Sequence, residues 1–429
     1  MKNQLTASTN FQIRLITSPA EMEAFFRLNA VVFRPDEDHD LVAAQRKRFL
    51  TLDPDFQHHQ LRGAFFGETY VGGYALLERT ICLGPARLRV GCVNGVVTHP
   101  DYRHQGIAAA LMQDAIHVAE GQKSQRYALL LLHGLTNFYQ QFGYIDVLED
   151  TPRHSVAQKQ LPEPAHDTYT VRAASLADVP AILACYQRHY SSYLGSFAPV
   201  RTLQRQEHLL RNWFEVNDIG PLVALSPEQE LQGYLLLSRR RQRLYAYEVA
   251  ADSWPATLAL LHAHAQLLDA EADPQQELWW PVPPTDETFY FLAEHVTVRS
   301  ELLSFPNGGW MGRPVHLPTL LQSLLPLWQE YWRGRSRLVD WIGTLELVID
   351  SHTSFLEVTP TRIYFTGSPS SPPQRVTFSS QVFSQLIFGF RPVSWALLQP
   401  GQHYPAELIP LLNVLFPVSQ AWVAGSDFF

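Results

Sequence analysis

Residues 93–108, VNGVVTHPDYRHQGIA, constrain the fold and chemistry of this chain more than any other stretch. The β-branched run at 93–98 predicts a strand, and the alanine-rich run that begins at Ile107 predicts a helix. A helix that follows a strand in this way directs unpaired backbone N–H groups and its positive dipole end towards the strand tip. Gly106 permits close approach to the backbone, and Arg103 adds a positive charge. The stretch therefore predicts a binding site for a pyrophosphate.

Length and composition limit the number of domains, the partners and the compartment that can be expected. A chain of 429 residues is too long for one core and predicts two to four domains. The net charge is −8 and no basic stripe occurs, which argues against nucleic acid as the main partner. The three cysteines are odd in number and lack metal-ligand spacing, so we expect a reducing compartment and no metal site. Cys82 and Cys92 lie on strand-like runs beside the Gly84-Pro85 turn, which predicts that both are buried thiols. We also expect a soluble, cytoplasmic protein, because neither a signal peptide nor an apolar run of about eighteen residues is present.

The first 150 residues predict one α/β unit. Ser18 and Glu21 form a capping-box pattern with a proline between them, which predicts a helix over 20–32. An acidic loop follows at 36–40. The other predicted elements are strands at 11–16, 61–66, 70–82, 88–98, 127–132 and 144–148, and helical segments at 41–50, from 107, and at 136–142.

The motif after the fourth strand resembles that of a known superfamily. Arg103-x-x-Gly106-x-Ala108 is similar to the acyl-CoA-binding pattern Arg/Gln-x-x-Gly-x-Gly/Ala of GNAT N-acetyltransferases, and the order of elements is that of a GNAT fold. The resemblance implies acetyl-CoA as co-substrate, held by strand 93–98 with a splay or bulge at Gly95. The alternative is an ordinary strand–turn–helix with a solvated arginine.

A second motif, NFYQQFGY at 137–144, lies about thirty residues further on. GNAT enzymes carry a tyrosine on the short helix after the splayed strand, where it protonates the leaving thiolate. The resemblance thus implies that Tyr139 is the general acid, with Gly143 as the left-handed end of the helix. The alternative is that Tyr139 only packs.

The remaining chain divides into three further parts. Residues 151–167 are polar and contain proline, which predicts a linker. Residues 168–300 repeat the opening pattern of strand, polar cap and helix without the Arg-x-x-Gly motif, which predicts a degenerate GNAT-like unit that does not bind coenzyme A and serves as scaffold or pocket wall. Residues 301–429 predict an α+β domain, and its pattern resembles the sterol-carrier-protein-like fold.

The whole chain resembles the Eis-type (enhanced intracellular survival) acetyltransferases. That resemblance implies two tandem GNAT-like domains and a sterol-carrier-like third, with a C-terminal carboxylate, here that of Phe429, as general base. The chain ends in Asp427-Phe428-Phe429, and two exposed phenyl rings are costly in water. We therefore expect this end of the chain to pack against the rest of the protein. A free α-carboxylate has a pKa near 3.5, so it would act through water or by holding the amine. The coenzyme contacts that the resemblance implies are Val96, Thr98, Arg103, His104, Gly106, Ile107 and Ala108.

The resemblance also implies an acceptor and an assembly. The acceptor would be a primary amine of a cationic small molecule, aminoglycosides included, and the protein a homo-oligomer, with a hexamer as the family's form. The acidic loop 36–40, Asp427 and the terminal carboxylate would line a cation-attracting cleft, although a solvated acidic loop is the simpler interpretation of 36–40. His104 and Gln105 stand where the family is often richer in arginine, so the phosphate grip would depend more on backbone donors.

Two other functions stay open from the sequence. One is a lipid- or sterol-binding protein in which the third domain carries the function and the GNAT-like units are scaffold. The other is an acetyltransferase for a protein, peptide or small-metabolite amine.

Overall fold

The computed structural model of the chain describes residues 11–121, 126–148, 153–163, 169–217, 219–240, 243–268, 277–302 and 307–428. We call residues 11–148 the first unit, 153–302 the second and 307–428 the third. The protein is a mixed α/β structure with several sheets. No helix within these ranges combines the length and the hydropathy needed to cross a bilayer.

The first unit contains all the elements that its sequence predicts. Ser18 accepts a hydrogen bond from the Glu21 backbone N–H, and Glu21 accepts one from the Ser18 N–H, so the predicted capping box is confirmed. The elements are β1 (Gln12–Leu15), α1 (Pro19–Phe33), α2 (His39–Thr51), β2 (Leu61–Phe66), β3 (Thr69–Leu83), β4 (Ala86–Thr98), α3 (Ile107–Gly121), β5 (Leu129–Gly134) and β6 (Ile145–Asp146).

The second unit has two sheets, one in the order β11-β10-β9-β8 and one in the order β12-β7-β13. Its central strand β7 falls inside the predicted linker 151–167, so that prediction is wrong for residues 153–157, whose backbone pairs with two neighbouring strands. The elements are β7 (Arg153–Ala157), β8 (Thr170–Ala173), α4 (Val179–Tyr190), α5 (Leu203–Val216), β9 (Leu222–Leu225), β10 (Leu231–Arg240), β11 (Arg243–Ala251), α6 (Trp254–Leu267), β12 (Glu277–Trp280), α7 (Glu287–His295) and β13 (Arg299–Glu301).

The third unit has a four-stranded sheet in the order β17-β16-β15-β18, in which β15 and β18 are parallel. Its elements are β14 (Gly309–Pro314), α8 (Leu317–Arg335), β15 (Gly343–Ile349), β16 (His352–Val358), β17 (Ile363–Thr366), β18 (Gln374–Phe378), α9 (Ser380–Ile387), α10 (Val393–Ala396) and α11 (Ile409–Leu415).

Strand β14 lies in the first unit's sheet, whose order is β1-β2-β3-β4-β5-β14-β6. Its residues fall within 301–429, which the sequence assigns to the third domain. Strand β5 begins with four apolar residues that are buried, and it needs hydrogen-bond partners on both edges. Because β4 accompanies β5 for only part of its length, β14 supplies the second edge over all six residues of β5.

The seven-stranded sheet separates two buried clusters of side chains. One contains the inner face of α3 together with Tyr139. The other contains α1 and α2 with α8 and the sheet of the third unit, so the first and third units share a continuous core. The face that carries α3 therefore holds Tyr139 and the start of α3, whereas Phe428 packs against the cluster on the other face.

Candidate active site

Strands β4 and β5 lie side by side over only three residue pairs. Val90–Cys92 pair in parallel with Leu129–Leu131. Beyond that point β4 continues along β3 to Thr98, whereas β5 continues along β14 to Gly134. The strands therefore diverge towards their C-terminal ends, and the backbone groups that face the resulting β4–β5 gap have no ladder partners.

A β-bulge in β4 borders this gap. Val97 pairs with Gly73 and Asn94 with Ala75, so two residues of β4, Gly95 and Val96, lie opposite one residue of β3. Gly95 has a φ of +63°, and a Cβ there would lie 2.7 Å from the side-chain oxygen of the buried Asn29. The bulge predicted at Gly95 is confirmed, and only glycine satisfies both its backbone and its neighbour.

Two predicted coenzyme contacts lie on this strand. Val96 is half-buried in the bulge, and its backbone takes no part in the pairing with β3. The hydroxyl of Thr98 is buried and has no hydrogen-bond partner within the described ranges. A buried polar atom without a partner is unfavourable, so Thr98 is suited to a ligand that supplies one.

The loop between β4 and α3 presents backbone donors. A 3₁₀ turn at Pro100–Tyr102 ends where the Arg103 N–H donates a hydrogen bond to the Pro100 carbonyl. The next N–H along the chain that donates to a backbone carbonyl is that of Ala110, which donates to Gly106. The N–H groups from 104 to 109 have no acceptor in the part of the chain that the structure describes. His104 and Gly106 have φ values of +63° and +79°, which turn consecutive N–H groups to one side.

The side chains of the loop leave room for an anion. Arg103, His104 and Gly106 are exposed, and a Cβ on Gly106 would have no heavy atom within 4 Å. The side chain of Ile107 is buried, so it can offer only its backbone N–H, and Ala108 is half-buried on the first turn of α3. Backbone donors and one arginine at a helix start fit the diphosphate of coenzyme A.

Tyr139 begins the 3₁₀ helix Tyr139–Phe142, which follows β5 and ends at Gly143 with a φ of +83°. Its ring packs over Gly134, where any Cβ would collide with it, and contacts the rings of Phe138 and Tyr144. Burial raises the pKa of Tyr139, so its hydroxyl keeps its proton at neutral pH. No protein partner for that hydroxyl occurs among the described residues, and the proton is available to a ligand.

Tyr139 and the start of α3 lie on the same side of the sheet. Both Tyr139 and Ile107 belong to the cluster that fills this face, and Val96 packs against it. The two sequence motifs therefore lie on one face of the sheet, although about thirty residues separate them in the chain.

The end of the chain packs against β5 and β14 from the other face of the sheet, with the cluster that contains α1, α2 and α8. The ring of Phe428 lies with its centre 4.8 Å from that of Trp310 in β14 and 5.6 Å from that of His133 in β5. His133 directly precedes Gly134, against which Tyr139 packs. The predicted docking of the chain end is confirmed as far as Phe428, whereas Phe429 lies outside the described residues.

The acidic side chains expected to line a cation-attracting cleft have other roles. Asp427 is buried and forms an ion pair with Arg201 of the second unit. In the loop 36–40, Asp38 caps α2 and Asp40 is paired with Arg27. Because Asp427 is neutralised by Arg201, the expectation that it lines a cation-attracting cleft is wrong. The carboxylates of Asp38 and Asp40 are bonded locally, so the loop 36–40 is an ordinary capped turn.

The three cysteines are free and buried, which confirms the burial predicted for Cys82 and Cys92. Burial raises the pKa of Cys82 to about 11 and that of Cys92 to about 12, so both stay protonated thiols. Cys185 lies with His189 and Asp252 in a group whose possible ligand atoms are within 4.8 Å of one another. Burial also raises the pKa of Cys185, and Asp252 is bonded to His189 and Arg188, so the group is satisfied without an ion.

Sequence reasoning missed the residues that receive the chain end. His133, Trp310 and Arg201 carry no local motif, and Trp310 is 118 residues from Phe428 in the chain. The only signal available was the unusual pair of aromatic residues at the terminus, which predicts a buried end but not its partners.

Comparison with known proteins agrees with this geometry. Residues 12–145 match the family model of an acetyltransferase (GNAT) domain. No curated protein matches the chain. The first unit is therefore an acetyltransferase domain of the GNAT type.

Several solved structures share the fold over the whole chain, each at 16% identity. A conserved protein of unknown function from Enterococcus faecalis, described as a probable N-acyltransferase, has a TM-score of 0.72, with 98% of this chain and 99% of that chain covered. A GCN5-related N-acetyltransferase from Anabaena variabilis has a TM-score of 0.68, and Eis1 from Mycobacterium abscessus one of 0.62, each covering 98% of this chain and 100% of its own. At this identity the likeness concerns the fold alone.

Proposed function

We propose that the acetyltransferase domain of this chain transfers acetyl groups from acetyl-CoA to a primary amine of a cationic small molecule. The observation that carries the proposal is the divergence of β4 and β5 after Cys92 and Leu131, with the start of α3 and Tyr139 following the two separated strands on one face of the sheet. When bound, acetyl-CoA supplies an activated acetyl thioester.

The residues of β4 and the following loop would hold the co-substrate. The free backbone groups at the bulge of Val96 and the hydroxyl of Thr98 are suited to the pantetheine arm. The N–H groups from His104 to Ala108, including those of Gly106 and Ile107, and the guanidinium of Arg103 are suited to the diphosphate.

Tyr139 would act as the general acid. Its raised pKa keeps the proton on the hydroxyl oxygen at neutral pH, so the hydroxyl can donate it to the sulfur as the carbon–sulfur bond of the thioester breaks. The absence of a competing protein acceptor in the described part of the chain supports this role over simple packing.

The carboxylate of Phe429 would receive the proton of the attacking amine, directly or through water. Its support is the contact of the preceding ring, that of Phe428, with His133 and Trp310, because His133 directly precedes the Gly134 on which Tyr139 packs. A carboxylate also attracts an ammonium group, whereas the nearby Asp427 is already paired with Arg201. Aminoglycosides are the acceptor class that the Eis-type resemblance implies, and a homo-oligomer is its implied assembly.

Acetyl-CoA titration by calorimetry tests the co-substrate. Arg103→Glu is expected to weaken binding about tenfold or more, because it replaces a phosphate partner with a like charge. Arg337→Glu is the matched control, since Arg337 is also exposed and has no ion-pair partner within the described ranges.

A release assay for coenzyme A across aminoglycosides, polyamines and lysine peptides then identifies the acceptor. Acetyl-CoA binding that is lost in Arg103→Glu and kept in Arg337→Glu supports the proposal. A wild-type protein that binds no acetyl-CoA contradicts the proposal and favours the alternative of a lipid- or sterol-binding protein.

A further inference from the structure

The second unit repeats the strand arrangement that borders the β4–β5 gap. Strand β11 pairs with β10 and is followed by α6, as β4 pairs with β3 and is followed by α3. Leu236 pairs with Glu248 and Leu237 with Ala246, so Tyr247 is an extra residue in β11. This bulge corresponds to the one at Gly95 and Val96. Strands β11 and β12 belong to different sheets, so a gap also lies beside β11.

The chain's own C-terminal segment, residues 421–428, lies at this second bulge. A Cβ on Gly425 would lie inside van der Waals contact of the Tyr247 carbonyl, so the two backbones touch. The neighbouring residue Ser426 donates its N–H and its hydroxyl to the buried carboxylate of Glu248 at 2.9 and 2.5 Å. The C-terminal segment thus occupies, in the second unit, the position that acetyl-CoA is proposed to take in the first.

A buried ion pair fixes the next residue. Arg201 and Asp427 are 2.5 Å apart, with 1% and 6% of their side chains exposed. The guanidinium carbon of Arg201 is 3.4 Å from the centre of the Tyr186 ring, and the Tyr186 hydroxyl donates to Asp427. Arg201 also donates to the hydroxyl of Ser426 at 2.8 Å. Charged groups held this far from water keep their geometry, because leaving either one unpaired is costly.

Contacts on both sides of the pair connect the second unit with the candidate active site. Upstream, Trp422 is buried against Tyr190, with ring centres 4.9 Å apart. Downstream, the next residue after the pair is Phe428, which contacts His133 of the first unit and Trp310 of β14 in the same sheet. Two residues span at most about 7 Å, so the position of Asp427 limits where the terminal carboxylate can lie.

We propose that the second unit is a clamp for the C-terminal segment, and that Arg201 and Asp427 are the positioning pair that determines where the last two residues lie at the candidate active site. The clamp gives a function to a GNAT-like unit without the Arg-x-x-Gly motif. Its effect on turnover rests on the function proposed above. Neither residue contacts the reacting groups; both act through the position of the chain end.

Two readouts separate positioning from general stabilisation. Protein prepared with 5-fluorotryptophan in place of tryptophan reports the environment of Trp310 by fluorine NMR. The Trp310 resonance is assigned as the one that Trp310→Phe lacks. Steady-state kinetics and calorimetry give kcat and the acetyl-CoA Kd. The matched control is Asp53→Asn, because Asp53 is a buried carboxylate paired with Arg79 and Arg205 but does not touch the C-terminal segment.

In Asp427→Asn we expect the Trp310 resonance to move or split and kcat to fall about 10- to 100-fold, with the acetyl-CoA Kd unchanged within about twofold. Asp53→Asn should leave the Trp310 resonance in place. Arg201→Lys keeps the charge and should retain more of the wild-type kcat than Arg201→Gln, and this comparison decides the matter if Asp427→Asn does not fold.

An unmoved Trp310 resonance in Asp427→Asn overturns the clamp. The positioning role is also overturned if Asp427→Asn keeps full kcat while a chain extended beyond Phe429 is inactive. If the wild-type protein transfers no acetyl group at all, the proposed function fails by itself, and the NMR comparison still decides the clamp.

Discussion

Replacement of Gly106 by alanine separates binding of the co-substrate from folding. Gly106 has a φ of +79°, where an alanine costs about 1 to 2 kcal/mol. No heavy atom lies within 4 Å of the new methyl group, so this strain is its main cost to the free protein. The methyl group would stand beside the N–H groups that are proposed to hold the diphosphate. Loss of one hydrogen bond to a charged group, about 1.5 to 3 kcal/mol, weakens acetyl-CoA binding about 10- to 100-fold.

The chain offers a close control for this change. Gly401 in the third unit has a φ of +78°, and a Cβ there also meets no heavy atom within 4 Å. Gly401→Ala should therefore lose as much stability in urea unfolding as Gly106→Ala and bind acetyl-CoA like the wild type in calorimetry. Wild-type affinity in Gly106→Ala, or an equal loss of affinity in both variants, would refute the assignment of the loop.

The remaining predictions concern catalysis and stability. Tyr139→Phe should lower kcat about 100-fold with the acetyl-CoA Kd kept, whereas Tyr144→Phe, which removes the buried hydroxyl of the adjacent ring, itself without a partner in the described ranges, should leave kcat unchanged in steady-state assays. Full kcat in Tyr139→Phe would remove it from the acid role. Burial lowers the pKa of His264 to about 4 from its ordinary 6.5, so the unfolded chain binds this proton first as pH falls. The free energy of unfolding is therefore unaffected by protonation of His264 above pH 6.5 and falls by about 3 kcal/mol by pH 4. Urea unfolding should find this dependence on pH reduced in His264→Leu. An unchanged slope would show that His264 is not responsible.

Local patterns were sufficient where a few neighbouring residues determine the structure. The capping box of Ser18 and Glu21 and the bulge at Gly95 depend on hydrogen bonds or backbone angles within one turn or one strand pair. The order of elements in the first unit follows from the same periodic signals. These features could be predicted because their causes lie within a few residues of each other.

Contacts between distant segments could not be predicted in this way. Strand β14 joins the first unit's sheet because β5 has an open edge, and β7 forms because two later strands pair with it. Nothing in either segment identifies its partner. The same holds for Asp427, which the sequence presents as a free carboxylate and the structure pairs with Arg201, 226 residues away.

We expect the end of the chain to complete the candidate active site of the first unit. The most direct test is kcat for amine acetylation by a protein extended by one alanine after Phe429, with the acetyl-CoA Kd measured in parallel. The alanine moves the terminal carboxylate by one residue, about 3.5 Å, while the C-terminal segment keeps its contacts. The account predicts that kcat falls about 100-fold or more and that Kd stays within about twofold. An extended protein with wild-type kcat would contradict it.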